Sequence, residues 1–107
     1  MIEEKSLKLE NAVTVGIING RQNENQSKEY MDELEFLTYT AGGKVLKRFN
    51  QKIDQPNPKT FIGSGKMIEV MDFVKINDIS SVIFDDELSP AQQVNIEKIL
   101  KIKVLDR

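Results

Sequence analysis

The sequence contains no cysteine, no histidine and no tryptophan, and only three prolines among its 107 residues. Without cysteine the chain forms no disulfide and offers no thiol nucleophile or thiolate ligand, which is compatible with a reducing compartment. Without histidine it lacks imidazole, the commonest general base and zinc ligand. The groups that remain for chemistry or ligand binding are mainly carboxylates, lysines and backbone groups.

Long apolar runs are also absent. The longest, such as residues 82–84, hold about three residues, whereas a membrane-spanning helix needs ~20. The first ten residues are charged and lack the apolar stretch of a signal peptide. With 39 % hydrophobic and 30 % charged residues, the composition is that of a globular domain. We therefore expect a cytoplasmic protein without a membrane partner, with a flexible leader at 1–10 and one domain at 11–107.

Strand and helix patterns alternate along the chain. β-branched residues at 11–18 indicate a buried strand. The next segment has helical spacing, with Ser27 as the predicted N-cap and Gly42-Gly43 as the stop. Ser89 and Pro90 predict another helix start. The remaining strands and helices are expected at 44–53, 66–76, 81–84, 90–100 and 103–105.

This alternation predicts an α/β fold in three layers. We expect a mostly parallel four-stranded sheet with right-handed crossovers and helices on both faces, in a flavodoxin-like arrangement. If the strand order is 2-1-3-4, the direction in which successive strands are added to the sheet reverses between the first and third strands. A ligand crevice would open there at the carboxyl ends of the strands. The segments expected at that crevice are 19–22 and 85–87.

A glycine loop before the second helix resembles a phosphate-binding loop but departs from it. A nucleoside-triphosphatase loop needs a glycine where this chain has Thr60, and Ser or Thr where it has Met67. The chain itself is therefore not expected to hydrolyse nucleotides. Gly63, Gly65 and Lys66 could still hold a phosphate at the helix start. The alternative is a tight turn whose glycines adopt positive φ.

Three carboxylates, Asp85, Asp86 and Glu87, follow the third strand. Such a group could bind magnesium or serve as an acid–base pair. The alternative is structural, because carboxylates also provide hydrogen bonds and favourable charge where the next helix begins.

Charge is unevenly distributed, although the formal net charge is only −2. Residues 24–35 are mainly acidic and residues 44–66 mainly basic. The basic residues are Lys44, Lys47, Arg48, Lys52, Lys59 and Lys66. On one face of the domain they would bind a polyanion in one orientation. Alternatively, they are solvated side chains that deter an edge strand from pairing.

Three sequence blocks in series resemble the amino-terminal domain of HflX-type GTPases. They are Phe-Ile-Gly-Ser-Gly-Lys at 61–66, Ile-Phe-Asp-Asp-Glu-Leu-Ser-Pro-Ala-Gln at 83–92, and Val-Leu-Asp-Arg at 104–107. The order and spacing agree with the family over about residues 12–107. The positions that match the family pattern are Gly63, Gly65, Lys66, Asp85, Glu87, Ser89 and Pro90.

The resemblance implies a noncatalytic domain of a cytoplasmic, ribosome-associated GTPase that splits stalled or idle ribosomes under stress. The implied partners are the large ribosomal subunit with its RNA, and the helical and GTPase domains of the same protein. GTP and Mg²⁺ would bind in that GTPase domain, so no catalytic, metal or cofactor site is expected in this chain.

Two alternatives remain open at the level of the sequence. One is a stand-alone small-ligand or nucleotide-binding module of flavodoxin-like shape, with its site at 19–21, 63–65 and 85–86. The other is a protein–protein module that uses the acidic helix at 27–41.

Overall fold

The computed structural model describes residues 9–19 and 24–107, which form one sheet flanked by helices. The strands are β1 (Glu10–Ile18), β2 (Gly43–Lys52), β3 (Ser81–Phe84) and β4 (Lys103–Asp106). The helices are α1 (Glu24–Thr40), α2 (Ser64–Ile76) and α3 (Pro90–Leu100). All strand pairs are parallel, in the order β2-β1-β3-β4. The predicted fold class and strand order are therefore confirmed.

β1 lies inside the sheet, and its sequence suits that position. Residues 12–15 are fully buried and include the β-branched side chains Val13, Thr14 and Val15. Such a run fits a strand that is covered on both faces, as parallel strands usually are. β2 and β4 form the two edges of the sheet and are correspondingly more exposed.

The two faces of the sheet are covered unequally. On one face α2 and α3 pack over residues of all four strands, and the cluster includes Val13, Phe49, Val82, Phe84 and Val104. In the described part of the chain, α1 is the one helix on the opposite face. There Met31 and Leu34 of α1 pack with Ala12 and Ile83. Because α1 lies over β1 and β2, that face is only partly covered.

Most predicted boundaries agree with the structure, but the predicted N-cap of α1 is wrong. α1 begins at Glu24, and Ser27 lies inside the helix, where it is buried. Ser27 is four residues before the buried Met31 and so shares the inward face of the helix. Gly42 follows α1 with a φ of 96°, as expected of a glycine stop. No helix among residues 9–19 and 24–107 is long and apolar enough to cross a membrane.

A candidate functional crevice at the carboxyl edge of the sheet

A crevice of about 380 Å³ opens beside the carboxyl ends of β1 and β3, where the chain changes direction in the sheet. The described residues that line it are Ile17, Asn19, Tyr30, Asp85, Asp86, Glu87 and Arg107. The crevice is where the strand order predicts it, with Asn19 and the three carboxylates in its wall. The other residues predicted there, 20–22, lie outside the described part of the chain.

Arg107 joins three elements around this crevice. Its Nε donates a hydrogen bond to Asp85 Oδ1, immediately after β3. Its Nη2 donates to Glu33 Oε1 at 3.0 Å and to the carbonyl oxygen of Tyr30 at 3.3 Å, both in α1. The neighbouring Asp106 accepts the backbone N–H of Leu88 at 2.8 Å. The end of β4 is thereby tied to α1 and to the segment between β3 and α3.

The carboxylates make the crevice acidic. Burial raises the pKa of Asp85 above its ordinary value, although the Arg107 guanidinium acts in the opposite direction. Asp85 in turn raises the pKa of Arg107, so the arginine stays charged. Asp86 and Glu87 are exposed at the rim. Three carboxylates beside one paired arginine repel phosphate groups, so this lining does not favour a nucleotide as the ligand.

The contacts of the carboxylates match the structural alternative better than a metal site. Asp86 Oδ1 accepts the backbone N–H of Glu87 at 2.8 Å, and Asp85 bonds to Arg107. Among residues 9–19 and 24–107, no group of three or more acidic residues is close enough to hold a metal ion. These side chains therefore order the segment that leads into α3.

We expect the substitution Arg107→Gln to raise the pKa of Asp85 further, because it removes the charge that favours the carboxylate. A raised pKa means that the folded state binds the proton more tightly. The stabilisation from Asp85 is therefore present at low pH and is lost as the pH rises from 3.8 through the folded pKa. A carboxyl-carbon NMR titration measures this pKa. Asp32, whose pKa is lowered by Lys28 and Arg48, serves as the internal control, and an unchanged Asp85 pKa would contradict the expectation.

The glycine loop is not among the residues that line the crevice. Gly63 precedes α2 with a φ of −66°, and its N–H donates to Gln51 Oε1 of β2 at 2.9 Å. Lys66 Nζ lies 3.1 Å from Glu69 Oε2. The alternative of a tight turn with positive φ at these glycines is wrong, because neither Gly63 nor Gly65 has it. The loop is a helix start attached to an edge strand.

The left-handed residue of this region is Phe61, with a φ of 69°. Its backbone exchanges two hydrogen bonds with Asn57, at 2.9 and 2.8 Å. Its ring is buried and meets the ring of Phe84 edge to face, with 5.5 Å between centroids. The Asn57 Oδ1 atom also accepts the N–H of Lys59 at 2.8 Å. The turn thus inserts an aromatic anchor into the core, at the cost of an unfavourable backbone angle.

The start of α3 is attached to the same turn. Ser89 and Gln92 form a capping box at the predicted helix start, in which each side chain accepts the other residue's backbone N–H. The Gln92 Nε2 atom also donates to the carbonyl oxygen of Asn57 at 2.8 Å. Pro90 occupies the first helical position. The second sequence block is thereby connected to the turn at 57–61, which ends at the first residue of the first block.

Two further family positions, Gly65 and Glu87, make fewer contacts. A Cβ atom added at Gly65 would meet no heavy atom within 4 Å, whereas one at Gly63 would lie 3.2 Å from the Gln51 amide. Glu87 is exposed. The domain itself therefore gives a packing reason for glycine at 63 and none at 65.

The six basic residues singled out in the sequence do not share one face. In the register of β2 with β1, Lys44 and Lys47 point to the α2 side of the sheet, and Arg48 and Lys52 point to the α1 side. Lys59 lies in the turn, where its carbonyl accepts from Asn95 of α3 at 3.1 Å. Lys66 lies in the first turn of α2.

Arg48 and Lys66 are paired with acidic side chains. Arg48 lies 2.7 Å from Asp32 and 2.8 Å from Glu35, both in α1, and Lys66 pairs with Glu69. The three exposed lysines of the edge strand β2 are Lys44, Lys47 and Lys52, which we call the edge lysines. Lys47 Nζ stands 5.0 Å from the ring centroid of Phe49 and 5.5 Å from that of Phe73.

The doubly wound parallel sheet and its switch-point crevice define a small α/β domain of the class that is commonly built into larger proteins. A family model described as GTP-binding GTPase N-terminal matches residues 28–107. The chain therefore belongs to this family of GTPase N-terminal domains.

Individual relatives agree with this assignment. The GTPase HflX of Flavobacterium psychrophilum is 54 % identical over all 107 residues, which span 26 % of that protein. The GTPase HflX of Lacrimispora saccharolytica is 37 % identical over the same length, which spans 25 % of it. Crystal structures of two SsGBP mutation variants superpose with a TM-score of 0.67 at 25 % and 26 % identity, covering 92 % of this chain and 29 % of theirs. The chain thus spans about a quarter of the length of these HflX relatives.

Proposed function

We propose that this chain is a noncatalytic domain of an HflX-type GTPase and that it docks its parent protein on the large ribosomal subunit by binding ribosomal RNA. The ribosome-splitting activity of the parent and its location in the cytoplasm belong to the same proposal. GTP and Mg²⁺ would bind in the rest of the parent. The observation that carries the proposal is the set of three edge lysines, exposed along the strand β2 that ends the sheet, with Lys44 and Lys47 on one side of the sheet and Lys52 on the other.

The edge lysines have a suitable spacing for a nucleic-acid backbone. Eight residue steps separate Lys44 from Lys52, which corresponds to about 26 Å along a strand. That length is sufficient to contact several consecutive phosphates. The rings of Phe49 and Phe73 attract the Lys47 ammonium group and hold it near one position. A preoriented charge loses less conformational entropy when it binds a phosphate.

The competing explanation is that the edge lysines only prevent β2 from pairing with a strand of another molecule. A binding series with the parent GTPase distinguishes the two. We expect the triple substitution Lys44→Gln, Lys47→Gln and Lys52→Gln to weaken co-sedimentation with purified large ribosomal subunits. The slope of the logarithm of the binding constant against the logarithm of the salt concentration should become smaller in magnitude by about 2. The variant contacts fewer phosphates, so its binding releases fewer counterions.

A matched control removes the same charge elsewhere. Lys75, Lys98 and Lys103 are also exposed and lie at the ends of α2 and α3 and in β4. Their triple substitution by Gln should leave the salt slope unchanged. Equal effects of the two triple variants would mean that only net charge matters, and an unchanged slope in the edge variant would assign the lysines to protection of the edge. Either result contradicts RNA docking through β2.

A further inference from the structure

Two aromatic rings stand on the outward surface of α1, away from the sheet. Phe36 is 65 % exposed and Tyr39 61 %, and residues three apart lie on the same side of a helix. Phe36 follows the buried Leu34 by two residues, which places it on the side of α1 opposite the sheet. Aromatic residues are enriched at protein interfaces, and neighbouring exposed rings indicate a contact surface. We call Phe36 and Tyr39 the exposed rings.

Carboxylates precede the exposed rings on the same surface. Asp32 and Glu33 lie one turn before Phe36, and Glu29 lies two turns before it. All three acidic residues are exposed. α1 carries five carboxylates and one lysine over its length. Its outward surface is therefore acidic in the first half and aromatic in the second.

The carboxylates of α1 already bind a basic side chain within the domain. Arg48 of β2 lies 2.7 Å from Asp32 and 2.8 Å from Glu35, so a guanidinium group fits between carboxylates of this helix. Glu33 keeps 60 % of its side chain exposed. Glu29 has no ion pair in the part of the chain that the structure describes. These two carboxylates are accessible to basic groups from outside the domain.

The two halves of this surface together favour a basic partner that also has apolar side chains. Carboxylates attract ammonium and guanidinium groups, and aromatic faces attract the same cations, as the Phe49 ring does with Lys47 at 5.0 Å. The carboxylates repel the phosphate groups of RNA or of lipids. Glu29 and Phe36 are seven residues apart, about 10 Å along the helix. An extended chain covers that distance in about three residues.

The area of the exposed rings fits a short segment of another protein. A buried aromatic side chain covers about 150–250 Å², so at their observed exposure the two rings together offer roughly 250 Å². Packing between domains of one chain usually covers about 600–1,500 Å², whereas small contacts are typical of transient encounters. Tyr39 lies one turn after Glu35 on the β2 flank of α1, and Arg107 of the β4 end contacts the other flank at Tyr30. The exposed rings are thus open to a separate partner.

We propose that the outward surface of α1 binds a short basic segment of a separate protein, with arginine or lysine side chains on Glu29 and Glu33 and apolar side chains on the exposed rings. This contact gives the acidic helix a role in protein binding that accompanies RNA docking and does not replace it. The proposal rests on the charge and exposure of α1, and it does not depend on RNA binding by the edge lysines.

The first test measures the binding of a defined basic peptide to the parent GTPase. The probe is a fluorescein-labelled peptide, Arg-Arg-Ser-Ser-Leu-Ser-Leu, and fluorescence anisotropy at low salt gives its Kd. We expect Phe36→Ser with Tyr39→Ser to weaken binding at least tenfold, because the variant loses the cation–π and apolar contacts and keeps every carboxylate. The same peptide with Gln in place of Arg should bind the unchanged parent at least tenfold more weakly.

The matched control is Ile68→Ser with Ile76→Ser, which removes two exposed apolar side chains of α2 and should change the Kd less than twofold. Equal effects of the two double variants would overturn the proposal, and so would a parent protein that does not bind the basic peptide. Both exposed rings project into solvent, so urea denaturation should give nearly the same free energy of unfolding for the Phe36 and Tyr39 variant. A variant that unfolds would assign the rings to the fold and would also overturn the proposal.

The second test identifies the source of the partner. Tyr39→p-benzoylphenylalanine places a photoreactive group beside the exposed rings of the parent protein in cells, and mass spectrometry locates the crosslinked peptide. A peptide of another protein that carries several Lys or Arg residues beside an apolar one, with a yield that falls at least fivefold on Glu29→Lys, supports the proposal. A crosslink within the parent chain, between two copies of it or to an acidic peptide overturns it, as does the absence of any crosslink.

Discussion

Replacing Phe61 by alanine is expected to lower the free energy of unfolding by about 3–5 kcal/mol, the usual cost of removing a buried aromatic ring. Replacing it by glycine is expected to cost about 1 kcal/mol less than alanine. This order is the reverse of the usual one, in which glycine is the less stable of the two. The reason is the φ of 69° at residue 61, which glycine adopts without strain. Urea denaturation of the three proteins measures both differences.

Phe84 provides a matched control for this prediction. Its ring is the partner of the Phe61 ring and is fully buried, but it lies in the regular strand β3. At this position the ordinary order should hold, with Phe84→Gly less stable than Phe84→Ala. If the two substitutions rank in the same order at 61 and at 84, the backbone angle of Phe61 does not contribute to stability as we expect.

The architecture could be predicted because its signals are local. The β-branched run at 12–15 marks a strand inside the sheet, and the Ser89, Pro90 and Gln92 triplet marks the start of α3. The number and alternation of elements then restrict the topology to a few right-handed arrangements. The position of the crevice follows from the strand order alone. For this reason Asn19 and Asp85 could be placed there from the sequence.

The details of the site depend on tertiary contacts that no local pattern contains. Propensity assigns positive φ to glycine, yet Phe61 adopts it because its ring is held in the core and its backbone is paired with Asn57. Likewise, the sequence shows Arg48 only as one charge of a basic segment, whereas in the fold it pairs with Asp32 of α1. The Asp-Arg pair at the end of the last strand is visible in the sequence as part of a family block, but the partners of Arg107 in α1 are not.

The Gln92 side chain is expected to contribute strongly to stability, because it is buried and connects α3 to the turn at 57–61. We expect Gln92→Ala to lower the free energy of unfolding by about 2–3 kcal/mol. The carbonyl of Asn57 and the N–H of Ser89 lose their partner, at about 1–1.5 kcal/mol each, whereas the N–H of residue 92 still bonds to Ser89 Oγ. Chemical denaturation gives the total.

The comparison variant Ser89→Ala removes the other hydrogen bond of the capping box. It removes the hydroxyl that accepts the Gln92 N–H and leaves the bond from Gln92 to Asn57 in place. It should therefore cost only the cap, about 1 kcal/mol. A cost of Gln92→Ala clearly above that of Ser89→Ala would show that the bonds from the Gln92 side chain to Asn57 and Ser89 contribute more to stability than the serine cap does. If Gln92→Ala costs no more than Ser89→Ala, the bond from Gln92 to Asn57 contributes less than we expect, and the turn at 57–61 is held mainly by the packing of the Phe61 ring against the Phe84 ring of β3.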